Sequence, residues 1–339
     1  MGRRHLISNA LNMDSAGTKG NAANKTDSDM KALYRSKNLV FAFMALYILL
    51  ALLVIAGNTF VVVAFRRSRL RPAINMFFVS LAVSDLLVGA VSIPLWIYNL
   101  SCPYFKSCLQ ANAQVTNFYR GFDIFSALAS ISNLVAISVE RYFAICWPIQ
   151  HRISSFERYL FMILATWSYS LIVTVVYSVE FSFRWKNYRG SLVFAAGFAV
   201  PIIIITLMYS SIYRNVKSMN AHWKQTNAKS ALRNSVQREK RTATTMGIVT
   251  VLFVVAWLPF FVVSLLWSFD RPSLPSYGGG FTQLMDFIKW MHYSNSAVNP
   301  FVYAYRNDEI RRMLAKLVIR VTAREEEIPG VPRQGNRNS

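Results

Sequence analysis

The sequence predicts an all-α integral membrane protein, a bundle of seven transmembrane helices followed by a short amphipathic eighth helix. Three observations support this fold class. Of the 339 residues, 54% are hydrophobic and only 16% are charged, which is more apolar than the composition of a usual soluble domain. The apolar residues gather in seven long stretches. Lys and Arg are concentrated in every second connection between these stretches, which is typical of a multi-pass membrane protein.

Six of the stretches carry no charge or almost none. Each reaches or approaches the roughly 20 apolar residues that cross a hydrocarbon core about 30 Å thick. In chain order they are 38–65, 72–105, 121–139, 159–179, 190–213 and 242–269. The seventh, 290–305, is shorter and needs part of 279–289, including Asp286 and Lys289, to reach across. We therefore predict seven spans, of which the last has the weakest hydropathy.

The net charge of +21 is distributed unevenly between the two sides of the predicted membrane. Three loops carry 15 Lys and Arg residues, whereas the three alternate loops carry 7. The basic loops are 66–72, 141–158 and 214–241, and the alternate loops are 100–120, 181–189 and 270–289. Basic loops stay in the cytoplasm, so the N-terminus is expected outside and the C-terminus inside. The basic excess is thus an orientation signal and does not indicate a nucleic-acid partner.

The predicted outer segments carry candidates for covalent modification. Residues 1–37 are polar and lack an apolar core followed by a cleavage site, so we expect an extracellular tail, with the first span acting as the insertion signal. Asn24 and Asn99 begin glycosylation sequons on this side. Cys102 and Cys108 share one outer loop, where either a local disulfide or two free thiols would be allowed.

The chain after the transmembrane domain, 38–306, divides into two parts. In 307–318 the apolar residues recur at helical spacing beside basic ones, which predicts an amphipathic helix lying on the lipids of the inner leaflet. Residues 319–339 have the composition of a disordered cytoplasmic tail. Within the spans, each proline removes one backbone hydrogen bond and should kink its helix; these prolines are Pro94, Pro201, Pro259 and Pro300.

Asp123 is an acid at membrane depth, and sixteen uncharged residues separate it from Glu140. On a helix, Arg141 lies five turns and about 27 Å further on, and Ser130 shares the same face. A carboxylate in this position is costly unless it is paired or lies in a wet cavity. Three explanations stay open: a structural cation such as Arg120 or Lys289, protonation of the acid, or an ammonium group brought by an external ligand.

Short motifs in all seven spans resemble those of rhodopsin-like (class A) G-protein-coupled receptors, over roughly residues 38–318. They are Gly57-Asn58, Leu81-Ala-Val-Ser-Asp85, Glu140-Arg-Tyr142, Trp167, Pro201 with Tyr209, Phe253 with Trp257-Leu-Pro259, and Asn299-Pro-Phe-Val-Tyr303. The resemblance implies a plasma-membrane receptor that is not an enzyme. Such a receptor binds an extracellular ligand and activates a heterotrimeric G protein.

Within that family the chain is most similar to biogenic-amine receptors. The similarity implies that Asp123 anchors a small cationic ligand. It also implies an aromatic cage and a pair on the seventh helix, formed by Trp257, Phe260 and Phe261 and by Trp290 and Tyr293 respectively. The chemistry is sound, because a carboxylate neutralises an amine, aromatic faces attract cations and a tyrosine hydroxyl can orient the acid. Taken alone, the three aromatic residues of the sixth span would be explained equally well by helix packing.

The chain also departs from the pattern of those receptors. Receptors for catecholamines have serines in the fifth span, and the matching positions here are Val193, Phe194 and Gly197, which disfavours a catechol ligand. Thr116 replaces the family's cysteine at the start of the third span, and 181–190 contains no cysteine. The family's disulfide across the pocket lid therefore cannot form.

Two further clusters are implied by the resemblance. The first is an allosteric sodium site, the one cofactor expected, whose oxygen ligands suit a hard cation and comprise Asp85, Ser130, Asn295, Ser296 and Asn299. The second is a switch at the inner end, where Arg141 and Glu239 join the third and sixth helices in the inactive state and their separation opens a crevice for the G protein. The switch residues are Glu140, Arg141, Tyr142, Tyr209, Glu239, Asn299, Pro300 and Tyr303.

Three other functions compete with an amine receptor. The missing disulfide and the altered fifth span would also suit a class A receptor for a peptide or a lipid. An opsin is less favoured, because its retinal lysine corresponds to Tyr293 and Lys289 comes about one turn too early. A transporter or proton pathway built on Asp85 and Asp123 would leave Glu140-Arg-Tyr142 unexplained, and the repeated halves of many transporters are not found.

Overall fold

The computed structural model describes residues 37–67, 72–102, 113–179, 185–226, 230–269 and 279–306, together with Arg312. This part of the chain forms seven long helices, α1 to α7, as predicted. Their bounds are Lys37–Arg67 for α1, Pro72–Leu87, Val88–Ser92 and Ile93–Ser101 for α2, Ala113–Cys146 for α3, Phe156–Ser178 for α4, Trp185–Phe194, Ala195–Ala199 and Val200–Thr226 for α5, Ser230–Phe269 for α6, and Gly279–Arg306 for α7. A short helix, Pro148–Arg152, joins α3 to α4.

Several predictions concern residues outside the described ranges or side chains that are not described. They are the N-terminal tail with Asn24, the second outer-loop cysteine Cys108, the amphipathic helix 307–318 apart from Arg312, the tail 319–339, and the side chains of Glu239 and Tyr303. These stay predictions. Cys102, at the end of α2, is buried.

Within the described residues, hydropathy supports five of the six strong spans, and the sixth is shorter than predicted. Helices α1 to α5 are each long and apolar enough to cross a membrane, and α6 contains a shorter apolar stretch, Gly247–Val263. Helix α7 includes 279–289, as the short seventh stretch required, and Asp286 and Lys289 in that part lower its hydropathy. The end of the bundle that holds Ser101 and Ala113 is called the outer end, and the opposite end is called the inner end.

Helix α3 is the centre of the bundle. It packs against α2, α4, α5 and α6, while α1 packs against α2 and α7. The largest apolar cluster is built around it from residues of α1 to α6, among them the fully buried Leu81, Ile131 and Phe253. Leu49 and Leu52 on α1 point outward and are more than half exposed, as expected for a surface that faces lipid. The central position of α3 explains why its polar residues are enclosed.

Two of the prolines follow a π turn. Pro94 comes directly after the turn Val88–Ser92 in α2, and Pro201 after the turn Ala195–Ala199 in α5. Proline has no N–H to donate to the preceding turn, so a local change in the helical hydrogen-bond pattern accommodates it. Pro259 and Pro300 lie inside α6 and α7 without such a turn.

Helix α1 approaches α2 and α7 closely through glycine. A Cβ on Gly57 would lie 3.0 Å from Pro300 Cγ, and a Cβ on Gly89 would lie 2.8 Å from Val54 Cγ1. Beside this contact, Asn58 Nδ2 donates to the carbonyls of Val54 and Ser296, each at 2.9 Å. These contacts fix the position of α1 against the helix that carries half of the candidate site.

Helices α5 and α6 separate toward the inner end. A groove of about 1200 Å³ lies between them, lined mainly by aliphatic side chains together with Tyr209, Gly247 and Thr250. A Cβ on Gly247 would still be 3.8 Å from the ring of Tyr209. The inner half of α6 is therefore loosely packed against α5.

Candidate functional site

Asp123 lies in the outer half of α3, is only 6% exposed, and forms an ion pair inside the bundle. Its Oδ2 accepts a hydrogen bond from the ammonium group of Lys289 on α7. Its Oδ1 accepts one from the Tyr293 hydroxyl at 2.9 Å, and that hydroxyl lies 3.0 Å from the hydroxyl of Tyr119. Of the explanations left open by the sequence, the structure shows pairing with a structural cation, and that cation is Lys289.

The Lys289 ammonium is enclosed by aromatic rings. It lies 5.1 Å from the ring centroids of Phe260 and Tyr293, 5.7 Å from that of Tyr119 and 5.9 Å from that of Trp96. Cations are attracted to aromatic faces within about 6 Å, and the attraction strengthens where water is excluded. We call these four rings the aromatic box. The box and Asp123 together form a complete binding site for one ammonium group.

Helical spacing places these groups. Tyr119 and Asp123 are four residues apart on α3, and Lys289 and Tyr293 are four residues apart on α7, so each pair occupies one helix face. The two faces meet at the Tyr119–Tyr293 contact. Trp96 comes from α2, just beyond the π turn Val88–Ser92.

The aromatic residues of α6 form one wall of a small cavity beside the ion pair. Trp257 and Phe261 are buried and their ring centroids are 5.4 Å apart, while Trp257 and His292 approach to 3.7 Å. The cavity has a volume of about 20 Å³ and is lined by these residues, Phe260, Asp123 and aliphatic side chains of α3 and α5. This is space for about one water molecule.

Trp290 takes a different position from the other predicted ligand-binding residues. Its ring stacks on Phe287, with centroids 6.3 Å apart, and it packs against the apolar cluster that contains Tyr47. The structure brings Asp123, Phe260 and Tyr293 together around Lys289 and places Trp290 on the α1 side of α7.

Four residues of the site were not among those named as ligand-binding from the sequence: Lys289, Tyr119, Trp96 and His292. His292 is 3% exposed. Within the described part of the chain, three buried nitrogens around the site have no hydrogen-bond partner: Trp96 Nε1, Trp257 Nε1 and His292 Nδ1. Helical spacing from Asp123 and Tyr293 would have identified Tyr119 and Lys289, but a sequence gives no comparable signal for Trp96.

Among the described residues, those of α5 that line the cavity carry no hydroxyl group, as the sequence predicts. Val193 and Gly197 line the cavity, and a Cβ on Gly197 would lie 3.2 Å from Phe261 Cζ. Thr116, which replaces the expected cysteine, donates a hydrogen bond to Asn99 Oδ1 at 3.2 Å and so joins α3 to α2.

A second acid, Asp85, lies deeper in the bundle and is fully buried. Its Oδ1 accepts hydrogen bonds from Ser130 Oγ at 3.2 Å and Ser296 Oγ at 2.8 Å, and its Oδ2 accepts one from Asn299 Nδ2 at 2.8 Å. Asn295, the fifth residue of the predicted sodium site, is buried on α7. A carboxylate, two hydroxyls and carboxamide oxygens are a donor set that fits a hard monovalent cation.

At the inner end of α3, Arg141 is completely buried and pairs with the carboxylate of its neighbour Glu140. The other oxygen of Glu140 lies 2.8 Å from His151 Nε2, in the short helix Pro148–Arg152. Tyr142 and Tyr209 pack beside them, against an apolar cluster formed by Ile145, Ile212 and Val216. Glu239 on α6 is the predicted partner of Arg141. Its side chain is not described, so that pair stays a prediction.

Comparison with known proteins agrees with this fold. A profile of the 7 transmembrane receptor (rhodopsin family) matches residues 57–303, more than half of the chain, and the chain belongs to this family. This confirms the resemblance noted from the motifs. The family is one of receptors and not of enzymes.

Similar curated proteins include three receptors for amines. Trace amine-associated receptor 1 of Mus musculus is 28% identical over 81% of this chain and 89% of the relative. The D(1A) dopamine receptor of Xenopus laevis is 27% identical over 83% of this chain and 72% of the relative. Octopamine receptor beta-1R of Drosophila melanogaster is 28% identical over 83% of this chain and 62% of the relative. By homology the protein is a multi-pass membrane receptor of the biogenic-amine type.

Proposed function

We propose that the protein is a plasma-membrane receptor, with its N-terminus outside, that binds a small extracellular amine at Asp123 and activates a heterotrimeric G protein. One observation carries the proposal: the Asp123 carboxylate already holds an ammonium group, that of Lys289, inside the aromatic box. A ligand ammonium needs the same charge-assisted hydrogen bonds and the same aromatic faces. The names of the amine-receptor relatives support the same ligand class.

Binding must rearrange the site. The cavity of about 20 Å³ is smaller than any aromatic amine, and Lys289 occupies the anchor. An incoming amine therefore displaces Lys289 on α7 and moves the aromatic side chains of α6. A ligand shifts a conformational equilibrium only through contacts that differ between the two states. Replacement of Lys289 by a ligand ammonium at Asp123 changes the contacts of both α6 and α7, and so supplies such a difference.

The two inner clusters would complete the receptor. A sodium ion held by Asp85, Ser130, Asn295, Ser296 and Asn299 would place a positive charge between α2, α3 and α7 and stabilise one arrangement of these helices. At the inner end, Arg141 would leave Glu140 and Glu239 on activation. Tyr209, Pro300 and Tyr303 would rearrange beside it to admit a G-protein helix, and the loose contact of α5 with α6 leaves room for that movement.

The proposal is tested by G-protein activation in cells that express the wild type or Asp123→Asn, across a panel of phenolic, indole and imidazole amines. Thr116→Val is a matched control, because Thr116 lies on the same half of α3 but bonds to Asn99 and not to the box. We expect responses to be lost in Asp123→Asn and kept in the control, at equal surface expression. Equal responses in all three proteins would make Asp123 structural, and a silent panel would favour a peptide or lipid ligand.

A further inference from the structure

We propose that Lys289 makes this site selective for small molecules that carry both an ammonium group and a neighbouring anionic group, such as the carboxylate of an amino acid. The inference rests on the proposed function, because it takes Asp123 as the ammonium anchor. It names a narrower ligand class than amines in general. It also gives Lys289 a role in specificity, as the residue that meets the anion.

The first argument comes from burial. Asp123 and Lys289 are 6% and 8% exposed, so they are paired where little water can solvate either charge. When a ligand ammonium takes the place of Lys289 at Asp123, Lys289 loses its counter-ion. A buried charge left without its partner is strongly unfavourable. A simple monoamine also places its own ammonium close to that of Lys289, and the two like charges repel.

A ligand with an acidic group removes both problems. Its ammonium pairs with Asp123, and its carboxylate pairs with the displaced Lys289. One buried ion pair is thus replaced by two, each with charge-assisted hydrogen bonds. No charge is left unpaired, and the two ammonium groups are separated by the ligand's own anion.

The second argument comes from Trp96. Its indole Nε1 is buried and, within the described residues, has no hydrogen-bond acceptor. An indole N–H can only donate, and a buried donor without an acceptor is costly. The Lys289 ammonium lies 5.9 Å from the centroid of the same ring. The ammonium of Lys289 and this N–H belong to the same site, and both are donors that a ligand carboxylate, with its two oxygens, could accept from.

The ligand's remaining atoms would lie in the small cavity that Asp123 lines together with Trp257 and His292, and both of these residues have a buried nitrogen without a described partner. The site would therefore receive the ligand's anion beside Lys289 and Trp96 and its side group beside Trp257 and His292.

One neighbouring acid offers Lys289 a different partner. Asp286 is buried three residues earlier on α7, and residues at this spacing are neighbours on a helix. If Lys289 moved to Asp286, a monoamine would bind without leaving a charge unpaired. The experiment must therefore distinguish a ligand carboxylate from Asp286 as the new partner of Lys289.

The test uses pairs of compounds that differ only in the α-carboxylate: tyrosine and tyramine, phenylalanine and phenethylamine, tryptophan and tryptamine, histidine and histamine. Concentration curves for G-protein activation give the potency ratio of acid to amine for each pair. For at least one pair we expect the wild type to favour the amino acid by about tenfold or more, which corresponds to about 1.4 kcal/mol.

Variants of Lys289 provide the decisive comparison. Lys289→Met keeps an unbranched side chain but removes the charge, so it should favour the amine of the same pair and respond to it about tenfold more sensitively than the wild type. Lys289→Arg keeps the charge and should keep the preference for the amino acid. Trp96→Phe keeps an aromatic ring but removes the N–H donor, so it should reduce that preference several-fold. Surface expression of each variant is measured alongside.

The outcomes separate this inference from the proposed function. A wild type that favours the amine, with the same ratio in Lys289→Met, overturns the inference and leaves amine binding intact; Lys289 then turns to Asp286 or to water. If the wild type responds to neither compound of any pair whereas Lys289→Met responds to the amines, the inference is also overturned, because Lys289 then only blocks the anchor and does not meet a ligand anion. If Asp123→Asn responds to every compound as the wild type does, or if no protein responds at all, the proposed function fails and the inference with it.

Discussion

His151 lies 2.8 Å from Glu140, with the imidazole Nε2 of a short helix meeting the carboxylate of α3. Glu140 also forms an ion pair with Arg141, the next residue. Its carboxylate therefore connects α3 to the short helix Pro148–Arg152. All three side chains are buried. The orientation of Arg141 therefore depends on the loop after α3 as well as on α3.

Loss of the His151 contact should destabilise the protein. The variant His151→Phe keeps a ring to pack against Tyr159 but leaves one buried oxygen of Glu140 without its donor, which costs about 1–3 kcal/mol. We expect a lower temperature of unfolding for the purified receptor. Gln150→Ala, an exposed neighbour in the same short helix, should leave it unchanged. Equal unfolding temperatures for His151→Phe and the wild type would show that the contact contributes nothing.

Two glycine substitutions should have opposite effects. Gly89→Ala places a methyl group 2.8 Å from Val54 Cγ1, and overpacking of this kind costs about 1–3 kcal/mol. Gly121→Ala places one 3.4 Å from Ser178 Oγ, an ordinary contact, and should stabilise α3 by about 0.5–1 kcal/mol through helix propensity. Thermal unfolding measures both. A Gly89→Ala variant that unfolds at the same temperature as the wild type, or at a higher one, would contradict the close approach of α1 and α2.

Sodium should stabilise the protein through Asp85. At about ten times the dissociation constant, a bound ion contributes about 1.4 kcal/mol. We expect the unfolding temperature to rise with sodium chloride but not with equal choline chloride, and the rise to vanish in Asp85→Asn. Ser84→Ala is the control, because the neighbouring hydroxyl donates to the Leu81 carbonyl of its own helix. A sodium effect that persists in Asp85→Asn would place the ion elsewhere.

The two tyrosines at the anchor should differ in importance. Tyr293 donates to the Asp123 carboxylate, and hydrogen bonds to charged groups contribute about 1.5–3 kcal/mol, so Tyr293→Phe should lower ligand potency by about tenfold or more. Tyr119 meets the Tyr293 hydroxyl and so acts on Asp123 indirectly, and Tyr119→Phe should lower potency by only about two- to tenfold. Concentration curves for the active ligand give both values, and a larger loss in Tyr119→Phe would reverse the assignment.

Glycosylation should occur at Asn24 and not at Asn99. The Asn99 amide nitrogen donates to the Leu95 carbonyl at 2.9 Å, and its oxygen accepts from Thr116, so the side chain is engaged within the helices. We expect glycosidase treatment to change the mass of the wild type and Asn99→Gln but not of Asn24→Gln. A glycan on Asn24 would also establish that the N-terminus is outside. A glycan on Asn99 would be incompatible with the contacts described for that side chain.

Much of the fold and part of the site can be predicted from the sequence for physical reasons. Apolar length fixes the helices, and a spacing of eighteen residues correctly places Asp123 and Arg141 near opposite ends of one buried helix. Hydropathy also shows why α7 must begin as early as Gly279. Patterns within one helix were therefore sufficient for these features.

Contacts between distant segments could not be obtained in the same way. Lys289 was one of two cations considered for Asp123, and only the packing of α3 against α7 decides between them. The link from His151 to Glu140 depends on a five-residue helix that has no periodicity to recognise. The small size of the cavity depends on how Phe261 and Gly197 meet across two helices, which no local pattern encodes.

The π turn in α2 changes the direction in which the side chains of the outer part of that helix point, relative to those of the inner part. A π turn holds about one more residue than an α turn, and each residue of a helix rotates the chain by about 100°. The turn Val88–Ser92 thus sets the angle at which Trp96 faces the bundle without altering the inner part that carries Asp85. Deletion of a single residue there would swing the tryptophan out of the aromatic box and leave the polar cluster below in place. Such a deletion would therefore alter ligand recognition at the aromatic box while leaving the polar cluster around Asp85 unchanged.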